Sequence, residues 1–170
     1  MGNPREVNRM NLIDLPKGVK LGTFDSVKLN HLWETVRRFP STFADGTKNP
    51  ESFAKRILAP DSIVLEFDGG IVLVEAIREG LSAEFHATFW DHKLSARKDL
   101  LKQCILWLFF TFNLERLETY VASYACAVRR FVSDKLGFVH EGTMRRAFRN
   151  HGELHNLEIY SILRMEALDG

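Results

Sequence analysis

What this sequence lacks narrows it first. Only two cysteines occur in 170 residues, Cys104 and Cys126. They share no metal-ligand spacing, which excludes a disulfide scaffold or a cysteine-built zinc site and points to a reducing compartment. An excess of charge is missing as well. The formal net charge of +1 leaves no large footprint for nucleic acid or an acidic membrane surface. No apolar run approaches the roughly 20 residues that span a bilayer; the longest runs from Cys104 to Phe110. The opening stretch MGNPREVNRMN has no apolar core of the signal-peptide kind. Repeats and low-complexity tracts are absent too. The reading is a soluble, cytoplasmic protein of one domain, long enough to bury a core.

What is present alternates between two periods. Residues 1–18 read as a polar N-terminal arm broken by Pro4 and Pro16, and residues 19–168 as the single domain. Val19 to Phe24 alternates as a first strand, and Asp25 or Ser26 caps a helix through Phe39. Asn49-Pro50-Glu51 opens a short helix to Leu58. Ser62–Phe67 and Ile71–Ile77 flank an Asp68-Gly69-Gly70 turn, and Leu81–Trp90 makes a third strand. A long helix covers Ala96 to Phe112, apolar nearly all round from Cys104 to Phe110, so it needs cover on more than one side. Then come a strand-like run, LERLETYVAS, and the stretch ACAVRRFVSDKLGFVHEG from Ala125 to Gly142. In that stretch a helix ends at Leu136, Gly137 stops it, and Phe138 starts a strand. Two more strand-like runs follow, around Ala147 and from Leu154 to Leu163, separated by the turn Asn150-His151-Gly152.

The order of helix, Leu136-Gly137-Phe138, strand, turn and strand resembles the C-terminal half of the GNAT superfamily of acyl-CoA-dependent N-acyltransferases. Within it, the pattern is most similar to the branch that acetylates ribosomal-protein N-termini. Asn113 to Leu163 carry the likeness, and the rest matches in element order. The resemblance implies an α+β fold with a mixed, mostly antiparallel sheet flanked by helices. It further implies a V-shaped splay between Leu81–Trp90 and Leu117–Ser123, acetyl-CoA as cofactor, and an amine as acceptor.

The family holds the cofactor pyrophosphate on a loop of the form Gln/Arg-x-x-Gly-x-Gly/Ala, where glycines let backbone amides approach phosphate at a helix N-terminus. Here that loop falls on His92-Lys93-Leu94-Ser95-Ala96-Arg97, which contains no glycine. The implied cofactor contacts are Lys93, Ser95, Ala96, Arg97 and Lys98, with side-chain charge replacing bare backbone; the alternative is a capped helix start with solvated cations. By register from Leu136-Gly137-Phe138, Cys126 takes the slot of a pantetheine-contacting Asn, Arg129 that of a small residue, and Ser133 that of a general-acid Tyr. Arg129 and Arg130 serve either as phosphate contacts or as a solvated helix face. A thiol with an unperturbed pKa of about 8.5 leaves without much help, so a missing acid is tolerable.

The base has a candidate pair. Along Leu81–Trp90, Glu84, His86, Thr88 and Trp90 share one strand face, and Ala83, Phe85, Ala87 and Phe89 the other. A carboxylate beside an imidazole offers acid–base chemistry near neutral pH; the alternative is a structural hydrogen-bonded pair. No two histidines have helical metal-ligand spacing, so no metal site is read. Two functions stand. One is an acetyl-CoA-dependent N-acetyltransferase attacking directly with a primary amine, on a protein N-terminus or a small molecule. The other is a GNAT-fold protein that has lost acyl-CoA binding and serves a larger assembly as a binding or structural component. Both leave a homodimer open.

Overall fold

The computed structural model describes residues 14–38, 49–90, 94–150 and 152–170, with the backbone alone at Leu94 and Ser95. Local chemistry sets most of the elements. Asp25 accepts a hydrogen bond from the Lys28 amide at 2.8 Å and caps α1 (Ser26–Val36). Asn49 caps α2 (Pro50–Ile57) in the same way through Ser52, with Pro50 in the first turn. Phe39, the expected end of α1, lies outside the described residues. The first strand is far shorter than its alternation predicts. Only β1 (Lys20–Leu21) pairs, because Phe24 turns away to join the apolar cluster under α1 and α2.

Strands β2 (Ile63–Phe67) and β3 (Gly70–Arg78) form a hairpin over Asp68-Gly69, with Gly69 at φ 79°. β4 (Ser82–Phe89) follows. Helix α3 (Lys98–Thr111) starts later than expected, because Leu94–Arg97 winds as a tighter 3-10 turn. After β5 (Arg116–Ala122), helix α4 (Cys126–Arg130) widens into a π turn over Phe131–Lys135. There the Leu136 amide donates to the Phe131 carbonyl at 3.1 Å. Gly137, at φ 84°, lets the chain reverse into β6 (Val139–Asn150), and β7 (Glu153–Leu163) completes the hairpin. A last helix, α5 (Arg164–Asp169), has no counterpart in the expected elements. Its start is held by Glu166, which accepts from the Leu163 amide at 2.8 Å.

The strands form one sheet in the order β1-β2-β3-β4-β5-β7-β6. Every neighbouring pair is antiparallel except β4 and β5, so the sheet is mixed and mostly antiparallel, as the element order predicts. The parallel pair has three rungs only: Ser82 with Arg116, Ala83 with Leu117, and Glu84 with Glu118. Beyond them the strands diverge. β5 keeps its full ladder with β7, from Arg116–Leu163 to Ala122–Leu157.

Two cores cover the two faces. On one, α3 lays Leu101, Ile105 and Leu108 against Val72, Val74, Phe85 and Leu117. The all-round apolar stretch of α3 is covered as its pattern requires: Cys104, Ile105, Trp107, Leu108 and Phe109 are all buried. Lys102 on the same helix donates to the Gly170 carbonyl at 2.8 Å, tying α5 to α3. On the other face, α1 and α2 bury Leu32, Val36, Phe53 and Ile57 against Val64, Ile71 and Leu73. Leu15, within the expected arm, packs against the main core. No helix among the described residues is long and apolar enough to cross a membrane.

Leu108 is fully buried at the centre of the α3 contact. Leu108→Ala should lower unfolding free energy by about 2–5 kcal/mol, through lost transfer energy plus a residual cavity. Urea titration checks this, and a midpoint equal to the parent's would mean α3 does not carry the core.

Candidate active site

The divergence of β4 from β5 opens a cleft of about 120 Å³ that meets both faces of the sheet. Its apolar wall comes from Phe85, Phe89, Val121, Phe131, Val132 and Phe138, and its polar lip from His86, Thr119 and Tyr120. A larger hollow of about 540 Å³ lies under α1, between Lys28, His31, Glu66 and Trp90. It holds neither Glu84 nor His86 and does not adjoin the parting strands, so the smaller cleft is the candidate site.

Alternation along β4 places side chains as the sequence predicts. Ala83 and Phe85 point into the α3 core. Glu84 and His86 lie on the other face, since their cross-strand partners are Glu75 and Leu73, and Leu73 packs under α1 and α2. The His86 Nε2 stands 3.4 Å from Glu84 Oε2 and 3.6 Å from Glu75 Oε2. Arg56 on α2 pairs with Glu75 through both guanidinium and carboxylate forks. The chain therefore brings a carboxylate–imidazole–carboxylate group to the cleft lip and clamps its far end to a helix. The hydrogen bond from His86 holds the Glu84 carboxyl below the usual carboxylate range, against the opposing effect of burial. Across the cleft, the Tyr120 ring stacks on His86 with centroids 6.4 Å apart. Burial, then the carboxylates of Glu118 and Glu84, push the Tyr120 phenol upward, so it stays protonated. Register alone unites Glu75, Glu84 and Glu118 across three strands. Nothing local in the sequence marks Glu75 or Arg56 as members of this group.

The expected cofactor contacts scatter more. Lys93 lies outside the described residues, and Ser95 is placed by its backbone only. Ala96 is exposed in the 3-10 turn, and Lys98 is half-buried at the first turn of α3. Arg97 lies with its guanidinium carbon 5.7 Å from the centre of the Phe67 ring, leaning on the end of β2. Cys126 is exposed at the start of α4 and is not itself part of the cleft lining, although Ala125 and Val128 are. Ser133 is not part of that lining either; its one hydroxyl proton has the Asp134 carboxylate at 2.6 Å and the Arg129 carbonyl at 3.1 Å as alternative acceptors. Arg129 ties α4 to the sheet, donating to the Tyr160 hydroxyl at 3.2 Å and the Ser123 carbonyl at 3.1 Å. The Cys104 thiol is buried in the core, which pushes its pKa up to about 12 and leaves it unreactive.

The cleft fits the arm of an acyl-CoA. Between Phe85 and Phe89 the side of β4 that faces β5 has no ladder partner, so its amides and carbonyls are open to a ligand, beside an apolar wall. The turn at the start of α3 is a poorer fit to a pyrophosphate, because every residue from Leu94 to Arg97 carries a Cβ where close backbone approach is needed.

No family model matches the chain, and no curated protein matches its sequence. Solved structures do match its fold. The chain is similar to the spermidine N-acetyltransferase from Vibrio cholerae in complex with CoA and spermine, at 19% identity and a TM-score of 0.70, over 90% of this chain and 99% of that one. A chimera of the same Vibrio cholerae enzyme, SpeG, with hSSAT gives 18% identity and a TM-score of 0.72, over 91% of this chain and 100% of the other. A probable acetyltransferase gives 16% identity and 0.67, over 90% and 97%. The chain has the GNAT acetyltransferase fold.

The wall of the cleft rests on a second polar group. Buried Glu158 on β7 accepts from the Thr143 hydroxyl at 2.6 Å and pairs with His140 at 2.8 Å. The Thr143 hydrogen bond chiefly, with His140 and Arg129, holds its carboxyl below the usual range despite burial. A depressed carboxylate stabilises the fold above its unfolded pKa of about 4.3 and loses that contribution as pH falls through the folded value. Glu158→Gln should therefore be less stable than the parent at pH 7, with the gap closing below about pH 4.3. Urea midpoints across pH 3–7 test this, and parallel curves would remove Glu158 as a stabilising charge.

Proposed function

We propose that the chain is an acetyl-CoA-dependent N-acetyltransferase that takes a primary amine by direct attack. The carrying observation is the cleft between β4 and β5, with an apolar wall on the α3 side and the Glu84–His86–Glu75 group on the α1/α2 side. Acyl transfer to an amine needs a polarised carbonyl, a route for the ammonium proton, and contact between the two reactants. An opening through a sheet provides all three, since donor and acceptor can enter from opposite faces.

Bound acetyl-CoA would supply the acetyl thioester. The unpaired amides of β4 beyond Glu84 donate to a carbonyl lying in the cleft. His86 accepts the ammonium proton, directly or through one water, and ionised Glu84 at 3.4 Å holds the resulting imidazolium. Glu75 fixes the ring from the other side and is itself fixed by Arg56. Lys93, Ser95, Ala96, Arg97 and Lys98 would hold the phosphate end, and Cys126 and Arg129 would border the arm from α4. Ser133 is the hydroxyl nearest in sequence to the family's acid slot, and a thiolate of ordinary acidity departs without it. The motif resemblance over Asn113–Leu163 favours a protein N-terminus as acceptor, whereas named structural neighbours act on spermidine. One observation favours the non-catalytic reading: Arg97 leans on Phe67, and the turn offers no glycine.

Calorimetry with acetyl-CoA separates the two readings. Micromolar binding supports the enzyme, and no binding at millimolar ligand ends it. Arg97→Ala should weaken binding, and added salt should do the same if charge holds the phosphates; a tighter Arg97→Gly would mark that side chain as an obstruction. His86→Gln and Glu84→Gln should each lower kcat by about 10²-fold or more, with acetyl-CoA affinity little changed. Parent-level turnover in both variants would dispose of the proton route.

A further inference from the structure

The β6–β7 hairpin carries a feature that the reaction does not use. Between the rungs Met144–Leu157 and Phe148–His155, three residues of β6 face one of β7. Arg145, Arg146 and Ala147, two residues in excess of their single partner, form a bulge. Asn156 accepts from the Arg146 amide at 2.8 Å, and Arg146 takes a φ of 53°, so the bulge is a fixed shape. Arg145 and Arg146 are exposed, and among the described residues their side chains have no hydrogen-bond or ion-pair partner. From Gly142 to Gly152 the chain has three arginines, Arg149 included, and no carboxylate.

Phe148, the rung that closes the bulge, lies on the His86 side of the sheet. Phe148 packs with Ala122 and Leu157 beside Tyr120, and Tyr120 stacks on His86. Opposite charge sits at the other end of this lane, where Glu84, Glu75 and Glu118 suit an ammonium. Distance decides what could touch both ends. Tyr120 pairs with Ile159, three residues along β7 from Asn156, which is roughly 10 Å at about 3.3 Å per residue. Three strand spacings from β4 to β6 add at least roughly 14 Å across, since β4 and β5 have already parted at His86, so His86 and the bulge are about 17 Å or more apart. A free amino acid or amino sugar cannot bridge that gap; an extended peptide does so in about five residues.

Resting on the acetyltransferase reading, we infer that the acceptor is a polypeptide N-terminus with acidic side chains about five residues from its amine, which Arg145 and Arg146 engage. The probes are two hexapeptides with free N-termini and a C-terminal fluorescein, Ser-Gly-Ala-Gly-Glu-Glu and Ser-Gly-Ala-Gly-Lys-Lys, with spermidine as a third acceptor. Anisotropy reads binding, and acetyl transfer from acetyl-CoA reads turnover. The acidic peptide should bind about tenfold more tightly than the lysine peptide at low salt, through two screened ion pairs. The Arg145→Glu/Arg146→Glu variant should erase or reverse that ratio, and Arg145→Gln/Arg146→Gln should fall between. Transfer to all three acceptors without charge preference overturns the acidic docking and leaves the enzyme standing. Selective binding of the acidic peptide without turnover does the opposite. A variant that weakens both peptides equally, with an unchanged urea midpoint, also overturns the docking.

Discussion

Three rungs between β4 and β5 are the constraint on which the rest depends. Each strand is paired along its outer side, β5 with β7 in an unbroken ladder and β4 with β3 in one interrupted by a bulge between Glu75 and Arg78. The short parallel contact at Ser82–Glu84 therefore has only to join two rigid half-sheets. Strand twist then carries them apart, and side chains occupy the opening: Phe85 meets Phe138 with ring centroids 6.2 Å apart. A fourth and fifth rung would close the cleft and leave His86 and Tyr120 on an ordinary sheet face. Incomplete pairing is costly only where backbone groups are buried without partners, and a cleft open to ligand and water relieves that cost.

Helix α4 makes the opening usable, and its geometry is unusual. Five residues of α-helix give way to a π turn, which brings Phe131, Val132 and Leu136 into the cleft wall. Arg129 holds this wall to β5 and β7 through Ser123 and Tyr160. Its neighbour on the sheet is the Glu158–His140–Thr143 group, which brings an ionised carboxylate close to the guanidinium. Arg129 thus has a structural use that its place in the sequence does not reveal. The Arg129 tie and the Glu84–His86–Glu75 group share no side chain.

The sheet carries its charges in separate places. Carboxylates converge where β3, β4 and β5 adjoin, balanced by Arg56 on α2 and by Arg116, which pairs with Glu118 at 3.5 Å and Glu141 at 3.0 Å. Arginines without such balance stand at the hairpin bulge. Charges in one cluster would neutralise one another locally; charges about 17 Å or more apart, beyond a Debye length at physiological salt, do not.

Local pattern was enough for the element types, the antiparallel bias of the sheet and the shared face of Glu84 and His86, because alternation and helical period depend only on neighbours along the chain. It also carried the helix stop at Gly137, where a positive φ favours glycine. It failed where the deciding partner lies far away in sequence. The first strand shrank because Phe24 found a better contact under α1, and α5 escaped notice because six residues hold little periodicity and its contacts are with α3. Arg129 could be read as a cation but not as a tie between α4 and β7. Cross-strand register brought Glu75 and Tyr120 to His86, and β6 had to pair with β7 before Arg145 and Arg146 became a bulge. Sequence by itself determined which side chains share a face; only the tertiary structure decided which faces meet, because register is a property of two strands and cannot be read from either one.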